Sequence, residues 1–454
     1  MSQFDAAGAS APDLAPRRKS SLLELDARTK SRNAAEKRFR AFGLAAIATA
    51  LCFLVILLGT IVSRGVPAFT QTRLTVPVYL DAAVLDPKGN RDVGELAKVT
   101  TLKYGPIFEA AFAKLIADQG LTTELTAKQA GGILSPGAAG IVRSKVLAEP
   151  ELLGTTAEFE VLASSRVDGY LKGRVTRESI ANDKNISAAH LDLVDQLVAS
   201  GHLKRSFNWE FLTGSDASES RPESAGFGVS ILGSVFMMLV VLLLSLPIGV
   251  AASIYLEEFA PKNRLTDLIE VNIANLAAVP SIVFGILGLA VFIQMAHLPQ
   301  SAPLVGGLVL TLMTIPTIII STRAALKAVP PSIRDAALGV GASKMQAVFH
   351  HVLPLAMPGI LTGTILGLAQ ALGETAPLLL IGMVGFVASN YPADVLAGFT
   401  SPNSAMPAQI YEWAKRADPA YYERAWGGII ILLVVMVLMN LIAILLRRRF
   451  ERRW

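Results

Sequence analysis

The sequence predicts an all-α polytopic membrane protein with six transmembrane helices and a small α+β domain inserted between the first two. Three observations lead to this fold class. Six apolar runs are each long enough to cross a bilayer as a helix, which takes about 20 residues. A stretch of soluble composition, residues 65–225, separates the first run from the other five. Both ends of the chain are rich in Lys and Arg, which indicates the direction of insertion.

The overall composition supports a membrane protein. Of the 454 residues, 52% are hydrophobic and only 17% are charged, whereas soluble domains carry about 25% charged residues. Cys52 is the only cysteine and lies inside an apolar run, so no disulfide can form within the chain.

The first 40 residues form a basic, alanine-rich cytoplasmic tail, which we expect to be disordered or only partly helical. The first transmembrane helix is predicted at residues 41–64. A cleaved signal peptide is the alternative interpretation. Forty residues precede this apolar run, however, and its length is that of a full span, so we favour a retained helix.

Residues 65–225 are predicted to form an accessory domain outside the membrane. Residues 74–86 alternate between apolar and polar side chains and end in a turn, as a strand does. Residues 106–118 and 186–200 have helical periodicity. Residues 214–224 are a polar linker that leads into the next apolar run.

The remaining part, residues 226–454, is predicted to contain five transmembrane helices. The fifth apolar run of the chain is too long for one plain helix, and its glycines and prolines predict a break or kink near Gly373–Pro377. The predicted helices cover residues 228–255, 268–292, 303–325, 354–388 and 427–447.

The distribution of positive charge predicts the topology. Both the tail and the C-terminal segment, with five arginines in its last eight residues, should lie in the cytoplasm. An even number of spans satisfies this requirement. The 65–225 domain then lies outside, and the loop 326–353 lies inside.

The loop 326–353 is predicted to contain two short helices joined near Gly341. Ser332 with Asp335, and Ser343 with Gln346, have the spacing of capping boxes. Apolar residues recur at helical spacing along the second helix, at Met345, Val348, Phe349 and Val352. Such a stripe is too short to span a membrane, and we expect it to fill a groove on a cytoplasmic partner.

The same segment resembles the EAA loop of permeases in bacterial ABC importers. The resemblance rests on Asp335, Ala336, Ala337, Gly341 and the pair Leu353-Pro354. Asp335 stands where the family has Glu, and His351 stands where an apolar residue is usual. In that family the loop docks into the ATP-hydrolysing subunits, which implies the same coupling role for these residues. The alternative is an ordinary amphipathic loop at the membrane interface.

A second resemblance narrows the family. Residues 368–382, "LAQALGETAPLLLIG", with the stretches 277–292 and 302–330, look like the A-type (PstA-type) membrane subunit of phosphate importers. The resemblance covers about 206–454, and its Gly-Glu-Thr signature falls on Gly373, Glu374 and Thr375. Members often carry Arg where this chain has Gln370. The 65–225 domain has no counterpart in this resemblance.

The resemblance also implies the partners and the location. They are a homologous permease subunit, two ATPase subunits, a periplasmic phosphate-binding protein and the lipid bilayer of a bacterial inner membrane, with no nucleic acid. ATP and magnesium belong to the ATPase subunits. This chain has no Walker A motif, no catalytic triad and no metal-ligand spacing, so we expect a transport subunit with no catalytic residues and no cofactor of its own.

Glu374 is the most informative ionisable residue in the apolar runs. A carboxylate at membrane depth is costly unless it is paired or hydrated. It repels phosphate, so a direct contact is not expected. It could pair with Arg323 or with an arginine of the partner subunit, act in gating, or cap the chain after Gly373. Rival functions are a permease for sulfate, molybdate or another small solute, and a membrane-anchored sensor that uses the 65–225 domain.

Overall fold

The computed structural model describes residues 27–183, 185–383 and 391–450. Among these residues, five helices are long and apolar enough to cross a membrane. A bent helix pair brings the number to six when it is counted as one span. We name the six in chain order, spans one to six, at Ala27–Phe69, Gly228–Phe259, Arg264–Ala277 with Ser281–Met295, Pro303–Lys327, Lys344–Gly373 and Pro419–Arg449.

Span one begins earlier than predicted. The α-helix runs from Ala27 to Gly65, so residues 27–40 of the predicted tail are helical. These residues contain no Gly or Pro and are rich in Ala, Lys and Arg, which favour helix. A short 3-10 turn, Val66–Phe69, follows and leads into the insert. The prediction for residues 1–26 lies outside the described residues.

The insert contains a three-stranded antiparallel sheet with the order β2-β1-β3. Strand β1 is Thr70–Tyr79, β2 is Thr156–Leu162 and β3 is Leu203–Phe207. The strand predicted at 74–86 therefore begins and ends earlier. Asp81 accepts a hydrogen bond from the backbone N–H of Ala83 and starts a short helix, Ala82–Leu85, which ends the strand.

Helices pack against this sheet and complete the α+β domain. The predicted helices are found at Thr101–Asp118 and Ala188–Ala199. Two other helices, Ala138–Ala148 and Ser165–Leu171, pack nearby. One continuous core of buried apolar side chains joins these helices to the sheet. Shorter helices of the insert lie at Val93–Leu96, Ala127–Ala130 and Trp209–Thr213.

Span three differs from the single helix predicted at 268–292. It consists of two helices, Arg264–Ala277 and Ser281–Gly288 with a π-helical continuation to Met295, bent by 98°. Pro280 lies at the break. Proline lacks a backbone N–H and disfavours helix at the preceding residue, so the chain turns there although the apolar run continues.

Span five begins before the predicted residue 354. It is one continuous helix made of three segments, which are Lys344–Gln346, a π-helical turn at Ala347–Val352, and Leu353–Gly373. The π-helical turn comes just before Pro354. Its altered backbone hydrogen bonding lets the helix accommodate the proline, which has no N–H to donate. The predicted break is present, because the helix ends at Gly373 and a new one covers Ala376–Leu380. The end of the predicted span, residues 384–388, lies outside the described residues.

Two ends of the bundle can be distinguished. At the insert end, Phe211 and Phe227 pack with Trp413 and Tyr421 in one apolar cluster. At the loop end, Ile254, Leu326, Val348 and Ile360 form another. The helix of span two that connects the ends, Gly228–Ile254, has 27 residues and is about 40 Å long. Short helices at Val395–Thr400 and Met406–Lys415 precede the helix Pro419–Phe450 of span six.

Candidate functional site

The loop helix, Pro331–Gly339, is the element that carries three of the predicted coupling residues. Asp335 and Ala336 are exposed, whereas Ala337 is buried. The chain reverses at Gly341, which has a φ of 88°. Only glycine adopts this backbone conformation without strain, so the glycine is required by the turn between the loop helix and span five.

One of the two predicted capping boxes is present. The Ser343 hydroxyl accepts from the backbone N–H of Gln346, and the Gln346 side chain accepts from the backbone N–H of Ser343. The prediction of a capping box at Ser332 and Asp335 is wrong. Pro330 occupies the N-cap position there, without a side-chain hydrogen bond, because Pro331 at the first helical position itself favours the start of a helix.

The apolar stripe is divided between the protein's own core and its surface. Val348 and Val352 are buried and belong to the same apolar cluster as Leu326 of span four. Met345 is 58% exposed and Phe349 is 42% exposed. The prediction that the whole stripe faces a partner is therefore wrong, because the second short helix is part of span five and packs on span four.

The exposed part of the stripe continues onto the loop helix. Leu338 is exposed near the end of that helix, and Val340, directly after it, is 85% exposed. Met345 and Phe349 also line a groove of about 350 Å³ beside span two, whose other walls include Tyr255. An exposed apolar surface of this kind is typical of an interaction site.

Arg334 fixes the loop helix to the bundle. Its guanidinium forms an ion pair with Glu258 at the end of span two, with 2.7 Å between Nη2 and Oε1. It also donates to the backbone carbonyl groups of Leu326 (2.9 Å) and Val329 (2.8 Å) at the end of span four. One side chain therefore joins the loop to two spans.

A second ionic contact joins spans two, three and four at the same end. Arg323 Nη2 lies 2.6 Å from Glu270 Oε1, and Arg323 Nε lies 3.3 Å from Glu257 Oε2. Arg323 is therefore not the partner of Glu374. Gly363 on span five faces Ser321, and Glu374 lies eleven residues, about 16 Å, further toward the insert end.

The Gly373–Thr375 signature forms the break in span five. Glu374 follows the last helical residue, is half-buried, and donates its backbone N–H to the carbonyl of Ala371. Thr375 starts the next short helix. Gln370 and Gly373 are exposed. These residues lie about 30 Å from Leu353 and Pro354 along the helix, at the opposite end of span five.

The hydroxyl groups of span four bond mainly to their own helix. Thr311 donates to the carbonyl of Gly307, Thr314 to that of Leu310, and Ser321 to that of Ile318. This is the ordinary arrangement for hydroxyls in membrane helices.

Between the insert and span six lies a cluster of buried charges that the sequence did not predict. Lys172 Nζ lies 2.7 Å from Asp168 Oδ2 and 2.7 Å from Glu423 Oε1, and Arg174 also contacts Glu423. The side chain of Lys172 is only 2% exposed and that of Glu423 only 10%. Burial lowers the pKa of Lys172 to about 8, while Asp168 acts in the opposite direction.

A second ion pair at this junction involves Asp216. Its Oδ2 lies 2.5 Å from Nη2 of Arg416, and its Oδ1 accepts from the indole N–H of Trp413 at 2.8 Å. Arg424 is also buried and donates to the backbone carbonyl groups of Ala68 and Glu223. The only signal in the sequence was the presence of charged residues just before an apolar run, which is common at membrane interfaces.

The apolar spans and the loop that reverses at Gly341 define an integral membrane subunit of transporter type. Family comparison gives the class directly, because residues 245–454 match the model of the binding-protein-dependent transport system inner membrane component. Residues 26–181 match a domain of unknown function, DUF3333.

Curated relatives narrow the class. The phosphate transport system permease protein PstA of Yersinia pestis is 31% identical over 225 residues, covering 49% of this chain and 73% of that protein. PstA 1 of Mycobacterium tuberculosis (strain H37Rv) is 31% identical over 228 residues, covering 50% and 71%. The probable ABC transporter permease protein YqgI of Bacillus subtilis is 29% identical over 268 residues, covering 57% and 88%. The chain belongs to the PstA family of ABC transporter permeases.

Solved structures are similar over about half of the chain. One is of the MetNI methionine ABC transporter, with a TM-score of 0.37 and 14% identity over 48% of this chain and 92% of that one. Another is of a bacterial ABC transporter that imports alginate, with a TM-score of 0.37 and 18% identity over 50% and 80%.

Proposed function

We propose that this chain is a permease subunit of an ATP-driven phosphate importer. The observation that carries the proposal is its similarity to phosphate permeases named PstA, which extends over more than 70% of their length. The chain would form the translocation path together with a homologous permease subunit. It would move phosphate by alternating access, without covalent chemistry.

Coupling to ATP hydrolysis is assigned to the loop end of the bundle. Leu338 at the end of the loop helix, Val340 directly after it and Met345 at the start of span five are exposed apolar residues, and Arg334 holds the loop helix in place. This surface suits a groove on an ATPase subunit, which would carry ATP and magnesium. Movement of the loop helix would pass to spans two and four through Glu258 and the carbonyl groups that Arg334 contacts.

The orientation follows from this assignment. The loop end and both termini would be cytoplasmic, and the insert would face the periplasm of a bacterial inner membrane. A phosphate-binding protein would dock at the insert end. Glu374 lies nearer that end at a break in span five, where a half-buried carboxylate could act in gating. It would not bind the anion directly, because the two charges repel.

Reconstitution with the partner subunits tests the proposal. The four-subunit transporter in lipid nanodiscs should hydrolyse ATP faster when phosphate-loaded binding protein is added. Val340→Asp puts a charge into the exposed apolar surface and should abolish most of this stimulation. Val93→Asp, at a 49% exposed site on the insert, is the matched control and should behave like the wild type.

The same preparation separates the rival functions. Transport of labelled phosphate into proteoliposomes should exceed that of sulfate and molybdate. If only sulfate or molybdate is transported, the substrate assignment is wrong. If the chain purifies without an ATPase subunit and transports nothing, the sensor interpretation gains support.

A further inference from the structure

A cavity of about 610 Å³ lies where the insert meets the permease. Its walls come from three parts of the chain. The insert contributes Ser135, Ser164 and Ser165, the linker contributes Glu223, and Asp418 is contributed by the start of span six. A molecule bound here would contact the insert and the permease together.

Two serine hydroxyl groups on the wall lack a partner within the described part of the chain. Ser164 Oγ is buried there without a hydrogen bond. Ser165 is only 7% exposed. Its hydroxyl forms no hydrogen bond with any of the described residues. A buried hydroxyl without a partner costs free energy, which a ligand that bonds to it would recover.

Glu223 is the second feature that indicates a ligand. It is 4% exposed, and its carboxylate accepts a hydrogen bond from the Ser135 hydroxyl. The nearby Arg424 donates to the backbone carbonyl of Glu223. Among the described residues, none forms an ion pair with the Glu223 carboxylate. Burial raises the pKa of Glu223, although Ser135 and Arg424 act in the opposite direction.

The charge on the walls selects the class of ligand. Four carboxylic acids line the cavity, Glu109, Glu219, Glu223 and Asp418, against one guanidinium, that of Arg166. Arg166 is already paired with Asp183 at 2.6 Å. Phosphate would be repelled here. No group of three or more acidic, histidine or cysteine side chains among the described residues has the geometry of a metal site, so an organic cation fits better than a metal ion.

We propose that this junction cavity binds a small organic molecule with a primary ammonium group. An ammonium has three N–H donors and no acceptor. The carboxylate of Glu223 and the oxygens of Ser164 and Ser165 provide acceptors, and Asp418 provides a second carboxylate for a diamine. Because the walls belong to the insert and to span six, the ligand stabilises their contact. This inference does not depend on which solute the permease transports.

The test uses the purified full-length chain in detergent with 1,4-diaminobutane as the probe. We expect a saturable rise in the thermal unfolding temperature and heat of binding by calorimetry. Neutral 1,4-butanediol and inorganic phosphate, at matched ionic strength, should produce neither. Glu223→Gln keeps the shape of the side chain and should weaken binding by about tenfold or more, since a charge-assisted hydrogen bond is lost.

Two further variants complete the test. Glu158→Gln removes a carboxylate from an exposed position of β2 and should bind the diamine like the wild type. Ser165→Ala removes one acceptor and should also weaken binding, which provides a second measurement if Glu223→Gln does not fold. Equal binding of butanediol, stabilisation by phosphate, or unchanged affinity in both cavity variants would overturn the proposal.

Discussion

The buried ion pair between Lys172 and Glu423 provides the sharpest prediction. Glu423→Gln preserves the size of the side chain and removes its charge. Lys172 and Arg174 then lose their common charged partner. The site largely excludes water, because the Glu423 side chain is only 10% exposed. We expect the insert to separate from span six more readily.

The size of the effect follows from burial. Removing one partner of a buried ion pair costs about 3–5 kcal/mol. Lys172 keeps Asp168 at 2.7 Å and the carbonyl of Thr70 at 2.7 Å, so the lower end applies. A cost of about 3 kcal/mol corresponds to about a hundredfold increase in the population of the open junction.

A single buried cysteine measures that population. Ala217 is 5% exposed and packs near Tyr421 in the cluster at the insert end. In a Cys52→Ser background, a thiol reagent should label Ala217→Cys only when the junction opens. Glu423→Gln should then raise the labelling rate by about a hundredfold.

A surface ion pair provides the control. Arg177 and Asp192 are 2.7 Å apart, with side chains that are 47% and 59% exposed. Exposed pairs contribute about 0–1 kcal/mol, so Asp192→Asn should change the labelling rate by about fivefold at most. The reasoning is refuted if Glu423→Gln leaves the rate unchanged or if Asp192→Asn raises it equally.

Three other predictions concern single positions. Gly341→Ala forces a Cβ into a left-handed conformation, which costs about 1–2 kcal/mol, and should reduce ATPase stimulation; an unchanged rate would contradict the assigned turn. Gly363→Leu should lower the unfolding temperature, because even a Cβ there collides with the side chain of Ser321. Gly373→Ala is the control and should leave the unfolding temperature unchanged, because the space around Gly373 is open. Glu223→Gln should flatten the pH dependence of the unfolding temperature. Burial raises the pKa of Glu223, so this acid stabilises the fold most below its unfolded pKa, near 4.5. The contribution is lost as the pH rises through the folded pKa. Equal slopes of unfolding temperature against pH for the wild type and the variant would refute this.

Local signals in the sequence predicted some breaks correctly and missed others. The break at Gly373 was predictable because glycine and proline cluster there and the apolar run is too long for one span. The 98° bend at Pro280 was missed, because hydrophobicity continues across it and one proline is also compatible with a kinked span. Hydropathy reports which residues avoid water but contains no information on the angle between two helices.

The loop shows a different limit. Its glycine turn and one capping box depend on residues three or four apart, and both were predictable. Which side of the apolar stripe faces a partner was not, because Val348 and Val352 pack against span four, which precedes them by more than twenty residues. Helical periodicity identifies an apolar face, and only the tertiary structure shows what covers it.

The contacts at the junction lead to a view of the insert that the sequence did not suggest. Lys172 and Glu423 are 251 residues apart, and nothing local indicates that they meet. Each buried charge costs several kcal/mol unless it remains paired. A flexible linker in place of residues 70–206 would leave Glu423 without Lys172 and Arg174, so the insert cannot be removed without cost. For the same reason, any movement of the end of span six next to the insert must either carry the insert with it or break these ion pairs.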